Sequence, residues 1–284
     1  ALSGVCATAK GNVRRNSMDA FANIPSNGRF AMRFEEGSDD RLIGVALLDS
    51  SDDVLLASRQ GKAIRFAADE IREFQSRTST GVRGRSLKGD DEVVSLSILH
   101  RVGVKDQEER EDYLRHAPWK PDDPDRQPRK MSDERFAELA AKEQYILTVC
   151  ANGYGKLSSA YEYRRTGRGG QGITNIDNIA RNGPVVASFT ATTADQLMLV
   201  TDQAKLIRIG LDSLRVIGRS TAGVKLFDVA EGEHVVSAVR LDDQEAPENE
   251  AEEAIVEEMV GRGSEETPPQ IGQARDDIDD SEGA

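Results

Sequence analysis

The stretch Gly167-Arg168-Gly169-Gly170-Gln171-Gly172 has the glycine spacing of a dinucleotide-binding loop, in which backbone N–H groups approach a pyrophosphate. That chemistry needs a helix after the loop, whereas Ile173-Thr174-Asn175-Ile176 reads as a strand. The charge of the segment points elsewhere. Arg164, Arg165 and Arg168 precede three glycines, so forked guanidinium donors and accessible main-chain N–H groups lie together, a combination suited to a nucleic-acid phosphate backbone. Two further loops repeat the theme, one with Arg77, Gly81, Arg83 and Arg85, the other with Arg219, Gly223 and Lys225. A basic residue also recurs three or four places after a turn glycine, as Arg14 and Arg15, Arg65, Lys156 and Arg208. Isolated, such charges are ordinary solvated side chains. Recurring in register, they predict a curved basic track.

Other chemistries find little support. His100, His116 and His234 lack ligand spacing and have no nucleophile beside them in sequence, so neither a metal site nor a catalytic triad is visible. Cys6 and Cys150, flanked by apolar residues and without a CxxC pair, are expected to pack as small hydrophobes in a reducing cytoplasm.

The elements that must position the arginines come from an internal repeat. Residues 54–65 align without a gap to residues 197–208, and copies of the same plan begin at Val5 and Leu147. Their landmarks are Gly11, Gly61, Gly153 and, in place of glycine, Ala204, at spacings of 50, 92 and 51 residues. Removing the 41 residues from Gly103 to Glu143, which differ in composition, restores the period. A second glycine follows each landmark, at Gly28, Gly81, Gly170 and Gly223, and then an apolar run such as Val93-Val94-Ser95-Leu96. Each period thus holds about four short strands joined by tight turns, with a hairpin at the landmark. Four such units predict an all-β, propeller-like array of four-stranded blades, residues 1–241, interrupted by the insert 103–143. In the insert, the prolines from Pro118 to Pro128 read as an extended linker, and Ser132 caps a short helix over 133–144. A radial array closes, so further blades are expected before Ala1.

Charge divides by region. The net charge of −13 arises because residues 242–284 hold 16 acidic and 2 basic residues, whereas residues 1–240 hold 34 and 35. The acidic stretch, poor in aliphatics, is expected to be a disordered tail. No apolar run approaches the roughly 20 residues of a membrane helix, and the basic residues follow the uncharged first nine, the reverse of a secretory signal.

With Gly153-Tyr154-Gly155-Lys156, Thr80-Gly81-Val82-Arg83-Gly84 and Gly11-Asn12-Val13-Arg14-Arg15, the repeats resemble the C-terminal domain of the A protein of bacterial DNA gyrase. The resemblance covers residues 1–241 and implies a β-pinwheel, four of an expected six blades being present, whose basic perimeter wraps double-stranded DNA. It implies a non-catalytic part of an ATP-dependent type II topoisomerase in the cytoplasm, partnered by the rest of the gyrase A protein and by the gyrase B protein in an A2B2 assembly. ATP and magnesium then belong to the holoenzyme, with no cofactor or metal in this chain. None of Tyr113, Tyr145, Tyr154, Tyr161 or Tyr163 takes the role of the cleavage tyrosine. The family's Q-R-R-G-G-K-G box is expected upstream of Ala1, with Arg168–Gly172 a partial echo lacking its first Gln and its Lys. The alternatives are the related domain of topoisomerase IV and a propeller-type protein-interaction scaffold.

Overall fold

The computed structural model describes residues 2–241 apart from Arg77 and Asn178. Arg77 and the acidic stretch from Asp242 therefore lie outside the described residues. The first repeat contributes β1 (Ser3–Thr8), β2 (Asn12–Ser17) and β3 (Leu42–Leu48). The second contributes β4 (Asp53–Ser58), β5 (Lys62–Ala67), β6 (Val82–Arg83) and β7 (Val93–Leu99). After the insert, which forms α1 (Gln107–His116) and α2 (Asp133–Ala141), the third repeat gives β8 (Tyr145–Cys150), β9 (Tyr154–Ser159) and β10 (Ile173–Thr174). A single turn, α3 (Ile179–Asn182), precedes β11 (Val185–Ala191). The fourth repeat closes with β12 (Gln196–Thr201), β13 (Leu206–Gly210), β14 (Val224–Lys225) and β15 (Val235–Leu241).

The blades are not the repeats. The sheets run β3-β1-β2-β6, β10-β5-β4-β7, β11-β8-β9-β14 and β13-β12-β15, so the two-residue strand of each later repeat pairs with the blade before it. The expectation of four strands from one period is corrected accordingly: among the described residues, each repeat after the first supplies three strands to its own blade and one to the blade before it. The physical reason lies in the hairpin β1–β2 and its equivalents, whose outer strand presents an open row of backbone donors and acceptors. The next repeat fills that edge.

Glycine fixes the exchange. Gly172 has φ +80°, and a Cβ there would stand 2.3 Å from the Ala63 carbonyl oxygen on β5. Gly81 and Gly223 occupy the equivalent places against Val13 and Gly155. The second glycine of the third repeat is therefore Gly172 rather than Gly170, because the residue that needs both positive φ and close approach is the one directly before the exchanged strand.

Three contacts repeat at each junction. At the inner edge, the N–H groups of Val93, Val185 and Val235 donate to the carbonyls of Ala9, Arg59 and Ala151 in the preceding blade. At the first landmark turn, the carbonyls of Gly11, Gly61 and Gly153 accept from the following repeat. Farther out, Phe74, Thr166 and Ile217 donate to the carbonyls of Arg15, Arg65 and Leu157, each at 2.8 Å. Ala204 adopts the landmark conformation at φ +60°, and no following repeat bonds its carbonyl among the described residues.

The starts of β3, β7, β11 and β15 line one shared cavity with Arg41, Arg59 and His234, so these strands face the axis and β6, β10 and β14 form the outer edge. The core lies between blades. Val5, Val13, Val54, Leu56 and Phe66 fill the first interface, and Leu147, Leu157, Leu197 and Leu199 the third. All six residues of β4 are buried, as expected of a strand covered on both faces. Cys6 and Cys150 are free thiols in this interior, and burial pushes Cys150 up to about 12.

The insert adds a helix that the sequence reading did not predict, α1, capped by the Asp106 side chain. In α2, Ser132 accepts from the Arg135 N–H, and the helix ends at Ala141. Tyr113, Leu139 and Tyr161 form a small core under both helices. Glu143 locks the insert to the third blade by accepting from Tyr113 Oη (2.8 Å), Trp119 Nε1 (2.9 Å), Ser159 Oγ (2.6 Å) and Tyr145 Oη (3.0 Å). Among the described residues no helix is long and apolar enough to cross a membrane.

Candidate nucleic-acid interface

The basic residues predicted as one track fall into two populations. One is buried between blades. Arg14 has no exposed surface and donates to the Ser79 carbonyl at 2.9 Å, while Lys156, 1% exposed, reaches the carbonyls of Gly218, Arg219 and Thr221. Arg85, 3% exposed, bonds the Gln171 carbonyl and pairs with Asp91. Arg15 and Arg65 use the same device one strand position on: Arg15 donates to the Ala68 carbonyl and Arg65 to the Ala160 carbonyl, each at the start of the next blade's short 3-10 turn. Arg65 also binds Asp53 at 2.9 Å.

The assignment of Arg14, Arg15, Arg65, Arg85 and Lys156 to a DNA-facing track is thus corrected. Their recurrence in register reflects a recurring junction, in which a long cation crosses to backbone carbonyls in the turns of the next repeat. Burial is also the main influence on the ionisation of Lys156, Arg65 and Arg85. It lowers Lys156 to about 7 against a weaker opposing pull from Glu162, and lowers Arg65 and Arg85 against Asp53 and Asp91.

The second population sits at the outer edge. Arg83 on β6 is exposed, as are Arg164, Arg165 and Arg168 on the loop leading to β10, and Arg208 and Lys225 on the fourth repeat. The Arg164 side chain makes no hydrogen bond or ion pair with the described residues, and the Arg165 side chain only a long contact to Asp53 at 3.7 Å. Arg208 bonds Gln196, and Lys225 pairs with Asp228 at 2.6 Å.

Arg168 and Arg219 are held by matching clasps. The Arg168 N–H donates to the Glu70 carboxylate (2.9 Å), its Nε to the Glu70 carbonyl (3.0 Å) and its Nη1 to the Arg83 carbonyl (2.9 Å). Arg219 repeats all three on the Glu162 carboxylate, the Glu162 carbonyl and the Thr174 carbonyl. Each guanidinium is oriented by the preceding blade's 3-10 turn and stands beside an exchanged strand. The acidic partners Glu70 and Glu162 were not singled out from sequence, although Ala68-Asp69-Glu70 and Ala160-Tyr161-Glu162 carry the signal, an acid two places after a buried alanine in both repeats.

The structure therefore brings Arg168 against the Arg83 carbonyl where the outer edges of the first and second blades meet, with Arg164 and Arg165 on the same loop, and carries the pattern to Arg219 one blade further. Three glycines between Arg168 and Ile173 keep side chains out of the way. The six-residue glycine motif is followed by β10, so it shapes an outer-strand entry and makes no helix N-terminus for a dinucleotide. Among the described residues no group of three or more His, Cys, Asp or Glu side chains is placed to hold a metal ion. His234 sits in an exposed turn bonded to Asp202.

The sequence profile of a family described as DNA gyrase C-terminal domain, beta-propeller, matches residues 5–49, 52–100, 144–191 and 195–242. Its four segments coincide with the four repeats and skip the insert. The DNA gyrase A protein of Granulibacter bethesdensis is 43% identical over 272 residues, covering 88% of this chain and 29% of that protein. Its counterpart from Rickettsia bellii is 41% identical over 273 residues, covering 93% of the chain and 30% of the relative. The chain thus spans about three tenths of the length of the curated relatives it matches. Among solved structures, the C-terminal domain of DNA topoisomerase IV superposes with a TM-score of 0.66 at 17% identity, covering 90% of this chain and 67% of that one. The DNA gyrase A C-terminal domain gives 0.61 at 19%, covering 84% and 66%.

Proposed function

Since the chain belongs to the family of DNA gyrase C-terminal domains with a β-propeller fold, we propose that it binds duplex DNA along its outer edge and bends it around successive blades. The observation that carries this reading is the repetition of exposed or clasped arginines beside the exchanged strands, Arg83, Arg164, Arg165, Arg168 and Arg219, while the buried cations hold the blades in the arc that spaces them.

Bending a duplex smoothly through a large angle costs on the order of several kcal/mol per 20–30 bp. Phosphate contacts distributed along a curved edge offset that cost, and each releases condensed counterions. Guanidinium groups already fixed by Glu70 and Glu162 lose little side-chain freedom on meeting a phosphate. The contacts read no base, so binding is tolerant of sequence.

In this reading the chain serves the gyrase A protein, in an A2B2 assembly in the cytoplasm, by presenting a wrapped segment of one handedness for strand passage. Strand cleavage and ATP hydrolysis, with their magnesium and nucleotide, belong to other parts of that assembly. The relatives at 41% and 43% identity support the gyrase reading over topoisomerase IV, to which the likeness is one of fold alone.

The test is affinity against duplex length and salt. Duplexes of about 60 bp should bind more tightly than those of about 20 bp by more than the statistical gain in sites, with a steep negative salt slope. Equal affinity per site at both lengths would leave binding without bending. No binding at low salt would favour a protein-interaction scaffold.

A further inference from the structure

The insert and the outer edge meet in a cleft of about 390 Å³, at the lower end of the size of small-ligand sites. Five arginines line it: Arg65 from β5, Arg101 and Arg110 from the insert side, and Arg164 and Arg165 from the loop before β10. Only two acids line it with them, Asp53 and Asp106, and both are committed. Asp53 is 2% exposed at its side chain and accepts from Arg65 Nε (2.9 Å) and Arg101 Nε (3.2 Å), while Asp106 caps α1 through the Glu109 N–H (2.9 Å). The Arg110 side chain makes no hydrogen bond with the described residues, and its Nε is buried. Arg164 is likewise without a partner among the described residues.

An excess of three positive charges among the residues lining a partly enclosed cleft is costly. The group that removes this cost is a multidentate oxyanion. Ring nitrogens, carbonyl compounds and cations would leave the charge uncompensated. The planar fork of arginine favours phosphate geometry among the oxyanions.

We propose that this cleft is a phosphate-binding site, with Arg110 and Arg164 supplying the free donors and Arg101 and Arg165 the flanking charge. The phosphate has two possible sources. It is either a backbone phosphodiester of bound duplex, in which case the proposal rests on the DNA-binding reading above, or the phosphate of a small soluble anion, in which case it stands without it. The insert then has a role in recognition, since it brings Arg110 to an edge that the four repeats alone would leave without it.

The experiment uses the 284-residue chain, its Arg110→Ala and Arg164→Ala variants, and Lys120→Ala, an insert cation outside the cleft, as control. Arg164 has no partner among the described residues, so its variant remains informative if Arg110→Ala disturbs α1. Each protein is titrated calorimetrically with inorganic pyrophosphate and, separately, with duplex DNA over a range of salt. If the phosphate comes from duplex, each cleft variant loses several-fold in DNA affinity and about 0.9 of salt slope per lost contact, while Lys120→Ala matches the unmodified chain. If it comes from a small anion, pyrophosphate saturates one site and loses about tenfold or more in the cleft variants, with DNA binding unchanged. The proposal is overturned if pyrophosphate does not saturate and both cleft variants bind duplex as the unmodified chain does. Failure of the unmodified chain to bind duplex at all removes the DNA-binding reading, and the pyrophosphate titration still decides the cleft.

Discussion

Replacing Gly172 by alanine should detach β10 from the second blade, and Gly28 provides the control. Both residues have φ +80°, but a Cβ at Gly28 would meet nothing within 4 Å, whereas at Gly172 it would meet the Ala63 carbonyl oxygen at 2.3 Å and carbon at 2.7 Å. The left-handed conformation costs an L-residue about 1–2 kcal/mol, partly offset by about 0.4–1 kcal/mol from a less flexible unfolded chain. Gly28→Ala should therefore cost at most about 1.5 kcal/mol. The Gly172 contact is with backbone of β5, which cannot rotate aside. The two-residue pairing of Ile173 with Ala63 and Thr174 with Lys62 must open, along with the bond from Asn175 N–H to the Gly61 carbonyl. At about 1 kcal/mol for each of two or three lost hydrogen bonds, the total reaches about 3–4 kcal/mol. Urea unfolding measures both variants, and hydrogen exchange locates the loss, which should fall on β5 and β10 amides. A Gly172→Ala cost within about 0.5 kcal/mol of the Gly28→Ala cost would refute the exchange as a tightly packed junction.

Lys156, lowered by burial to about 7 against an unfolded value near 10.4, binds its proton more weakly in the folded chain, so its contribution to stability rises with pH between those values. Unfolding at pH 7 and 9 should accordingly show the unmodified chain gaining on Lys156→Met, and a pH-independent difference would deny the burial effect. Glu143→Ala strips the acceptor from four donors and should free the insert before the blades unfold, read as an early transition in the fluorescence of Trp119, the single tryptophan; one coincident transition would contradict the lock. Arg164→Ala should leave stability within about 0.5 kcal/mol while flattening the salt slope of DNA binding by about 0.9, whereas Arg14→Ala should cost stability and leave the slope alone. Slopes that change equally would merge the two populations.

The sequence carried the repeat, the period and the strand-rich architecture, because turn glycines and β-branched runs are local signals. It could not tell which sheet a two-residue strand joins. Val82-Arg83 and Ile173-Thr174 are too short to show a partner, and the outer edge they fill lies in another repeat. The same limit explains the misassigned cations. Arg14 and Arg164 look alike in sequence, yet the first is sealed by the Ser79 loop of the next blade and the second stands clear of the described side chains. Charge in register marked a recurring structure, and only the inter-blade geometry separates its mortar from its surface. The helix α1 was missed because most of its length is charged, so no apolar stripe declares it; Tyr113 is its one fully buried apolar side chain.

An outer edge that bends DNA in one sense must change the topology of a closed circle. Nicked circular DNA is saturated with the 284-residue chain, sealed by ligase, deproteinised and resolved by linking number. Wrapping should shift the linking number with a single sign that grows with bound protein and is lost on replacing Arg83, Arg164, Arg165 and Arg168 together. Saturating binding that leaves the linking number where naked DNA places it would contradict wrapping.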